Sequence, residues 1–215
     1  MSNWNLVKRA ALAVATVALG AQVASAAPIS ISVEAVGSIG FGALAGSTVV
    51  DFNSGLPSGP SFASTGSSFG LYTGTTPNIA ATPFGDATQY FSTGLGTTTI
   101  TFDAEQTYLG FLWGSVDGFN DVKFYKDGAL VGTVNGSAII NPADGNQGLG
   151  GTYYVNFELY GGFDEVRLVS SNYSFEIDDL AYGGNYEVPE PMGALLLGSG
   201  LVAFGLARRR RTARA

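Results

Sequence analysis

Two short segments rich in carboxylates are the residues of this sequence best suited to chemistry. Residues 117–121 (DGFND) place three oxygen-bearing side chains in a glycine-containing loop, and residues 176–179 (EIDD) belong to a predicted strand. Alternation along that strand puts Glu176 and Asp178 on one face and Asp179 on the other. Calcium binds roughly six to eight oxygens in irregular geometry, which such segments supply.

A shared calcium site is therefore one hypothesis, in which a carboxylate of the last strand meets one of an early strand, such as Asp51. The alternative is that these side chains are solvated carboxylates and turn formers, because Asp and Asn favour turns for local reasons. No other cofactor is predicted. The candidate calcium ligands are Asp51, Asp117, Asp121, Asp178 and Asp179.

Ser-His-Asp and Cys-His nucleophile systems are excluded, because the chain contains neither His nor Cys. Residues 66–70 (GSSFG) match the G-x-S-x-G nucleophile elbow, but that motif needs a strand–turn–helix context and a His to take the serine proton. A carboxylate pair such as Glu158 with Glu176 is conceivable for glycoside hydrolysis. With no other feature in its support, we predict no catalytic residues and a protein that is not an enzyme.

Aromatic side chains offer a second kind of site, since they stack on the apolar faces of sugar rings. Trp113 lies in the apolar run YLGFLW (residues 108–113), which indicates a core position. Tyr153, Tyr154 and Tyr173 are the better candidates for an exposed face that binds glycans.

The N-terminus has the three parts of a secretory signal peptide. Lys8 and Arg9 precede the apolar run 10–21, and Ala24-Ser25-Ala26 predicts cleavage before Ala27. The alternative is an uncleaved amphipathic helix. A signal helix over residues 1–26 predicts export through the Sec translocon and processing by signal peptidase.

The charge of residues 27–186, called the body below, differs from that of the whole chain. Two of the ten basic residues lie in the signal and five in the C-terminal tail, which leaves Lys123, Lys126 and Arg167 in the body. All seventeen acidic residues fall between Glu34 and Glu190, so residues 27–190 carry a net charge of −14. Such a charge repels nucleic acid and anionic lipid, and suits cations or uncharged glycans.

The body is predicted to be all-β. Strands are indicated at 29–36, 97–102, 108–113, 152–159, 165–170 and 174–182, and a hairpin at 122–134 turns at Asp127-Gly128. Residues 37–96 are rich in Gly, Ser and Thr but retain aromatics, which favours long loops between short strands over disorder. The pattern predicts a β-sandwich of jelly-roll type.

The tail, residues 187–215, has a tripartite pattern. It contains Val188-Pro189-Glu190-Pro191, then sixteen uncharged residues (192–207), then Arg208-Arg209-Arg210-Arg211. A helix of sixteen residues is about 24 Å long, which is short but sufficient for a transmembrane helix if flanking arginines snorkel. The arginine cluster would stay on the cytoplasmic side. The plain alternative is a permanent C-terminal anchor.

This order resembles the PEP-CTERM sorting signal of Gram-negative bacteria. The resemblance implies recognition by exosortase, a membrane protease-transpeptidase, transient tethering in the inner membrane and delivery to the cell surface or extracellular matrix. It also implies association with exopolysaccharide or biofilm. Met192-Gly193 stand where the family often has an aromatic or hydroxylated residue.

The body carries a second resemblance. Residues 110–117, 122–132 and 175–182 look like exosortase-dependent surface proteins with a jelly-roll body, and the closing strand FEIDDLAY is similar to that of carbohydrate-binding modules. This resemblance implies a non-enzymatic surface protein. The alternatives are a lectin-like domain or, less expected, a hydrolase of matrix polysaccharide.

Overall fold

The fold is described from a computed structural model, in which residues 28–34 and 43–184 are described. Ten strands occupy these ranges: β1 (Ile29–Val33), β2 (Thr48–Val50), β3 (Ser61–Ser67), β4 (Gly70–Thr73), β5 (Gln89–Thr93), β6 (Leu95–Gly114), β7 (Asn120–Lys126), β8 (Ala129–Asn135), β9 (Tyr153–Ser170) and β10 (Phe175–Gly183). Two 3-10 turns, Gly136–Ala138 and Leu149–Gly151, are the helical elements of the described residues. The predicted all-β body is confirmed.

Within these ranges no helix has the length and hydropathy needed to cross a membrane. The predicted signal helix and the predicted C-terminal transmembrane helix lie outside the described residues.

The strands form two layers that share β6 and β9, and every pairing is antiparallel. The first layer runs β3, residues 95–101 of β6, residues 165–170 of β9, β7 and β8. The second runs β4, β5, β10, residues 108–114 of β6, residues 153–158 of β9 and β1, with β2 also on β10. Together they make a sandwich-like fold.

The predicted breaks between residues 102 and 108 and between 159 and 165 are wrong, because β6 and β9 are continuous. The β6–β9 register shifts between Thr101 and Gln106 and again before Tyr108, which is where β6 passes from one layer to the other. Gly162 of β9 has φ +69 beside the Glu105 side chain, and a Cβ there would collide with that carboxylate. Glycine lets the two strands bend together at this point.

The predicted hairpin is confirmed. β7 and β8 pair from Asp121↔Asn135 to Lys126↔Ala129, and Asp127 and Gly128 both have positive φ, at 51° and 76°. These are the angles of a type I′ turn, whose twist matches that of the flanking strands.

The core lies between the layers and is strongly aromatic. Phe62 of β3 packs on Phe91 of β5 with ring centroids 5.4 Å apart, and Phe124 of β7 packs on Phe157 of β9 at 5.5 Å. The fully buried large side chains include Trp113, Phe111, Phe163 and Phe175. The prediction that Trp113 is a core residue is confirmed.

Candidate functional site

Two cavities lie beside β10, and the loop that joins β4 to β5 contributes to both. Residues 75–81 of this loop line a cleft of about 400 Å³ together with Glu176. Residues 85–88 line a cavity of about 590 Å³ together with Asp178 and Asp179. We call them the Glu176 cleft and the Asp178 cavity. The acidic segment 176–179 therefore supplies carboxylates to two separate places.

Glu176 lines its cleft and is fully buried. Its Oε1 accepts hydrogen bonds from the backbone N–H of Ala81, at 2.8 Å, and from the Ser174 hydroxyl, while Oε2 accepts one from the Ser115 hydroxyl at 2.7 Å. Burial raises the pKa of Glu176, and these hydrogen bonds act in the opposite direction. The side chain thereby fixes the β4–β5 loop against β10.

Asp117 and Asp144 face each other in the same cleft. They form an isolated antiparallel bridge, flanked by the hydrogen bonds Gly118 N–H to Ala143 O (3.0 Å) and Gly145 N–H to Val116 O (3.1 Å). This is the non-hydrogen-bonded type of pair, in which opposing side chains lie closest. Two like charges are therefore held directly opposite each other.

As a residue, Asp117 is only 8% exposed, and no hydrogen bond or ion pair joins its carboxyl to another described residue. Burial, with smaller contributions from the charges of Glu176 and Asp144, raises its pKa to about 7. It lies against the backbone of Gly145, where a Cβ would collide with it. Asp117 is thus a buried acid without a partner in a cleft.

Tyr173 forms part of the wall of the cleft. It is 39% exposed, and its hydroxyl shares a hydrogen bond of 2.8 Å with the Ser67 hydroxyl at the end of β3. Phe119, half-buried, also lines the cleft. The cleft therefore combines carboxylates with two aromatic rings, and one of these is held in place through its hydroxyl.

The Asp178 cavity brings together three predicted residues, Asp51, Asp178 and Asp179, and adds Asp86. The prediction that Asp179 faces away from Asp178 is wrong, because both line this cavity. Asp179 has φ +48, and the β10–β6 register shifts between Asp178 and Ala181. This bulge inserts one residue into the alternation and re-aims the side chains around it.

Few donors serve the carboxylates of this cavity. The Asp86 Oδ1 atom accepts from the Thr88 N–H (2.7 Å) and hydroxyl (2.6 Å), and Asp178 Oδ1 accepts from the Asp179 N–H at 2.8 Å. Asp86 Oδ2 is buried and accepts no hydrogen bond from a donor in the described part of the chain, while the carboxyl of Asp86 lies within hydrogen-bond reach of that of Asp178. Burial above all raises the pKa of Asp178 to about 8, and it also raises the pKa of Asp179, to which the charges of Asp86 and Asp51 add.

The remaining predicted site residues lie elsewhere. Asp121 accepts a hydrogen bond of 2.9 Å from the Asn135 side chain and lines neither cavity. Tyr153 is half-buried and donates to the Gly150 carbonyl at 3.0 Å. Glu158, on β9 opposite Tyr108 and Ser30, does not share a cleft with Glu176.

The prediction that Tyr154 belongs to an exposed glycan-binding face is wrong. It is 2% exposed, and its hydroxyl donates to the Asp179 carbonyl at 3.2 Å. A ring enclosed in this way has no free face on which a sugar could stack.

Several residues of the two cavities were not predicted from the sequence. Asp144 and Asp86 are single acids in Gly- and Asn-containing loops, with no local pattern that links them to Asp117 or Asp178. Ser67 and Ser115 are hydroxyls whose partners lie 106 and 61 residues away.

Other predicted positions fall outside the described residues. These are the cleavage-site residues Ala24, Ala26 and Ala27, the motif Val188-Pro189-Glu190-Pro191, and the cluster Arg208-Arg209-Arg210-Arg211.

Comparison with known proteins gives no family. No protein-family model matches the chain, and no curated protein matches it. Among solved structures, the enzymatically active domain of tailspike protein 4 of bacteriophage CBA120 aligns at 12% identity with a TM-score of 0.28. The alignment covers 59% of this chain and 19% of the tailspike chain. Nothing about fold or function follows from a similarity this low.

Proposed function

We propose that this chain is an exported, non-enzymatic surface or matrix protein whose body binds a saccharide in the Glu176 cleft. The observation that carries the proposal is the position of Tyr173, an exposed ring tied to Ser67 at the wall of a cleft that also holds the Asp117 carboxyl. Aromatic faces pack on the apolar faces of sugars, and carboxylates accept hydrogen bonds from sugar hydroxyls. A cleft of about 400 Å³ falls within the range of small-molecule sites.

A binding role rather than hydrolysis is favoured by the state of Glu176. Glycosidases need two carboxyl groups that reach the scissile bond. Glu176 is fully buried, with both oxygens already accepting hydrogen bonds from the protein, so it has no free contact to offer a substrate. Glu158, the other half of the pair considered from sequence, does not line this cleft.

A glycan array probed with the purified body tests the proposal, with Tyr173→Ala as the loss-of-binding variant. Tyr160→Ala is the matched control, because Tyr160 is similarly exposed at 43% but lies on β9 and does not line the cleft. We expect saccharide binding that Tyr173→Ala reduces at least tenfold and Tyr160→Ala leaves unchanged. No saccharide binding, or equal losses in the two variants, would contradict it.

For location, we propose sorting by exosortase through the tail, with export by the Sec route and association with exopolysaccharide at the cell surface. The support is the order Pro-Glu-Pro, uncharged segment and arginine cluster in residues 189–211. Intact-mass measurement of protein extracted from the surface of its native cell is the test. The expected mass lacks residues 1–26 and the segment from Met192 onward, and a mass that retains the tail would refute processing.

Two finer assignments stay predictions. One is the jelly-roll type of the sandwich, and with it the similarity to carbohydrate-binding modules. The other is structural calcium, for which the Asp178 cavity is now the better place. In its favour, the carboxyls of Asp86 and Asp178 lie next to each other in this cavity, and Asp86 Oδ2 is buried without a donor among the described residues. Against a preformed site, no three acidic side chains of the described residues are arranged as metal ligands, so binding would require side-chain movement.

A further inference from the structure

Among the described residues, the Glu176 cleft is lined by three carboxylates, Asp117, Asp144 and Glu176, and by no Lys or Arg. No cation from elsewhere in the body neutralises them. Residues 27–186 contain only Lys123, Lys126 and Arg167. Lys126 pairs with Glu105 at 2.8 Å, Arg167 with Glu165 at 2.7 Å, and Lys123 lies 3.8 Å from Asp121, all outside this cleft.

The carboxylates of this cleft are placed where negative charge destabilises the fold. Like charges directly opposite each other on paired strands destabilise the fold, and the Asp117–Asp144 bridge holds two in that position. Asp117 is more than nine-tenths buried with no described hydrogen-bond donor, and an unpaired buried carboxylate is costly. A proton relieves this cost in the free protein, and a cationic group of a ligand would relieve it in a complex.

We infer that the saccharide bound in this cleft carries free amino groups, that is, a cationic hexosamine chain rather than an N-acetylated, neutral or uronic acid chain. This inference rests on the proposed function and names the class of sugar. An ammonium group has three donors, and the opposed carboxylates of Asp117 and Asp144 are acceptors placed together to receive them. The acidic groups of a uronate would be repelled by all three carboxylates.

A sugar ammonium fits the cleft better than a bare metal ion. The volume of about 400 Å³ far exceeds that of an ion, and the rings of Tyr173 and Phe119 line it. Both rings suit an organic cation, through stacking on the sugar and attraction of the charge to the ring face. Glu176 adds negative potential, but its oxygens are engaged by Ala81, Ser115 and Ser174.

Isothermal titration calorimetry near pH 7 and at low salt tests the inference with three 1,4-linked probes, the first two β-linked and the third α-linked. These are a glucosamine tetramer, an N-acetylglucosamine tetramer and a tetramer of galacturonic acid. We expect the glucosamine tetramer to bind at least about tenfold more tightly than the acetylated one, because hydrogen bonds between charged groups are stronger than those between neutral groups. The galacturonic acid tetramer should not bind, and added salt should weaken the glucosamine complex.

Two variants distinguish the contribution of the Asp117 charge to affinity from that of the aromatic wall of the cleft. Asp117→Asn keeps the size of the side chain and should lower affinity for the glucosamine tetramer about tenfold or more, with little effect on the acetylated tetramer. Tyr173→Ala should weaken both. Asp103→Asn is the charge-matched control, because Asp103 is exposed and does not line the cleft.

The inference and the proposed function fail in different ways. If the acetylated tetramer binds as tightly as glucosamine, with loss in Tyr173→Ala, the inference is overturned and saccharide binding stands. The inference is likewise overturned, and saccharide binding stands, if the only sugars of the array that bind lack free amino groups. The inference is also overturned if CaCl2 gives a heat of binding that Asp117→Asn abolishes, and if CaCl2 blocks binding of the glucosamine tetramer. In that case the cation that the cleft binds is a metal ion. If no saccharide binds at all, the proposed function falls with it.

Discussion

The ring of Trp113 on β6 stacks on that of Phe175 on β10, with centroids 4.5 Å apart and an interplanar angle of 19°. Both side chains are fully buried. The indole Nε1 of Trp113 is also buried, and it has no hydrogen-bond partner among the residues whose structure is described. A stacked pair of this kind contributes about 0.5–1.5 kcal/mol beyond the area it buries, while the unpaired N–H offsets part of that gain.

Trp113→Phe should therefore cost little, because it keeps a stacked ring and removes a buried donor that makes no hydrogen bond. We expect a loss below about 2 kcal/mol in the free energy of unfolding, against about 3–5 kcal/mol for Trp113→Ala. Urea denaturation of the body measures both. Equal losses in the two variants would contradict the role given to the stacked ring.

Glu176→Ala should destabilise the body strongly. It leaves the Ala81 N–H and the hydroxyls of Ser115 and Ser174 without their buried acceptor. Each unsatisfied group costs about 1–3 kcal/mol, although hydroxyls can turn to other acceptors. We expect a loss of more than about 2 kcal/mol by urea denaturation.

Glu176→Gln is the matched control for that change, since it keeps a carbonyl acceptor in the same place and removes the charge. We expect it to lose clearly less than Glu176→Ala. If both variants were equally stable, the three hydrogen bonds would not be what fixes the β4–β5 loop.

The stability of the body should fall as the pH rises from about 4 to 7. The pKa of Asp117 is about 7 in the folded protein, against 3.8 for the free group, because burial and the facing charges of Glu176 and Asp144 disfavour its ionised form. Between these values the folded state holds a proton that the unfolded state has lost, so raising the pH favours unfolding. Thermal unfolding at a series of pH values measures the slope.

Asp117→Asn should flatten this slope, and Asp103→Asn, which changes an exposed carboxyl, should leave it unchanged. Part of the slope will remain in Asp117→Asn, because the pKa values of Glu176, Asp178 and Asp179 are also raised. Identical slopes in wild type and Asp117→Asn would show that Asp117 does not retain its proton in the folded state.

Calcium is expected to raise the melting temperature through the Asp178 cavity, where Asp51, Asp86, Asp178 and Asp179 meet. A ligand at about a hundred times its dissociation constant adds about 2.7 kcal/mol, and EDTA should reverse the gain. Asp86→Asn should reduce the shift, whereas Asp121→Asn should not, because Asp121 lies outside both cavities. An unchanged melting temperature together with no heat of binding would rule out the site.

Local patterns predicted local structure well. The β7–β8 hairpin follows from Asp127-Gly128, whose positive φ angles are a property of the turn itself. The continuity of β6 and β9 did not follow, because their bends bring together Glu105 and Gly162, which lie 57 positions apart in sequence. Pairing across such distances leaves no short-range signal.

The sequence likewise allowed one part of the candidate site to be predicted and not another. The bulge at Asp179 has a sequence signature that alternation alone overlooks: Phe175 and Ile177 point to the core, and so do Leu180 and Tyr182, which are out of phase with them. Only an extra residue between Ile177 and Leu180 reconciles the two sets. The Asp117–Asp144 bridge, by contrast, joins two loops, and no periodic pattern in the sequence predicts it.

β6 and β9 each run through both layers, so the ten described strands belong to one continuous hydrogen-bonded sheet. Neither layer can be cut out as an independent fragment, because removing one would sever the central strands of the other. We therefore expect the two layers to unfold as one cooperative unit.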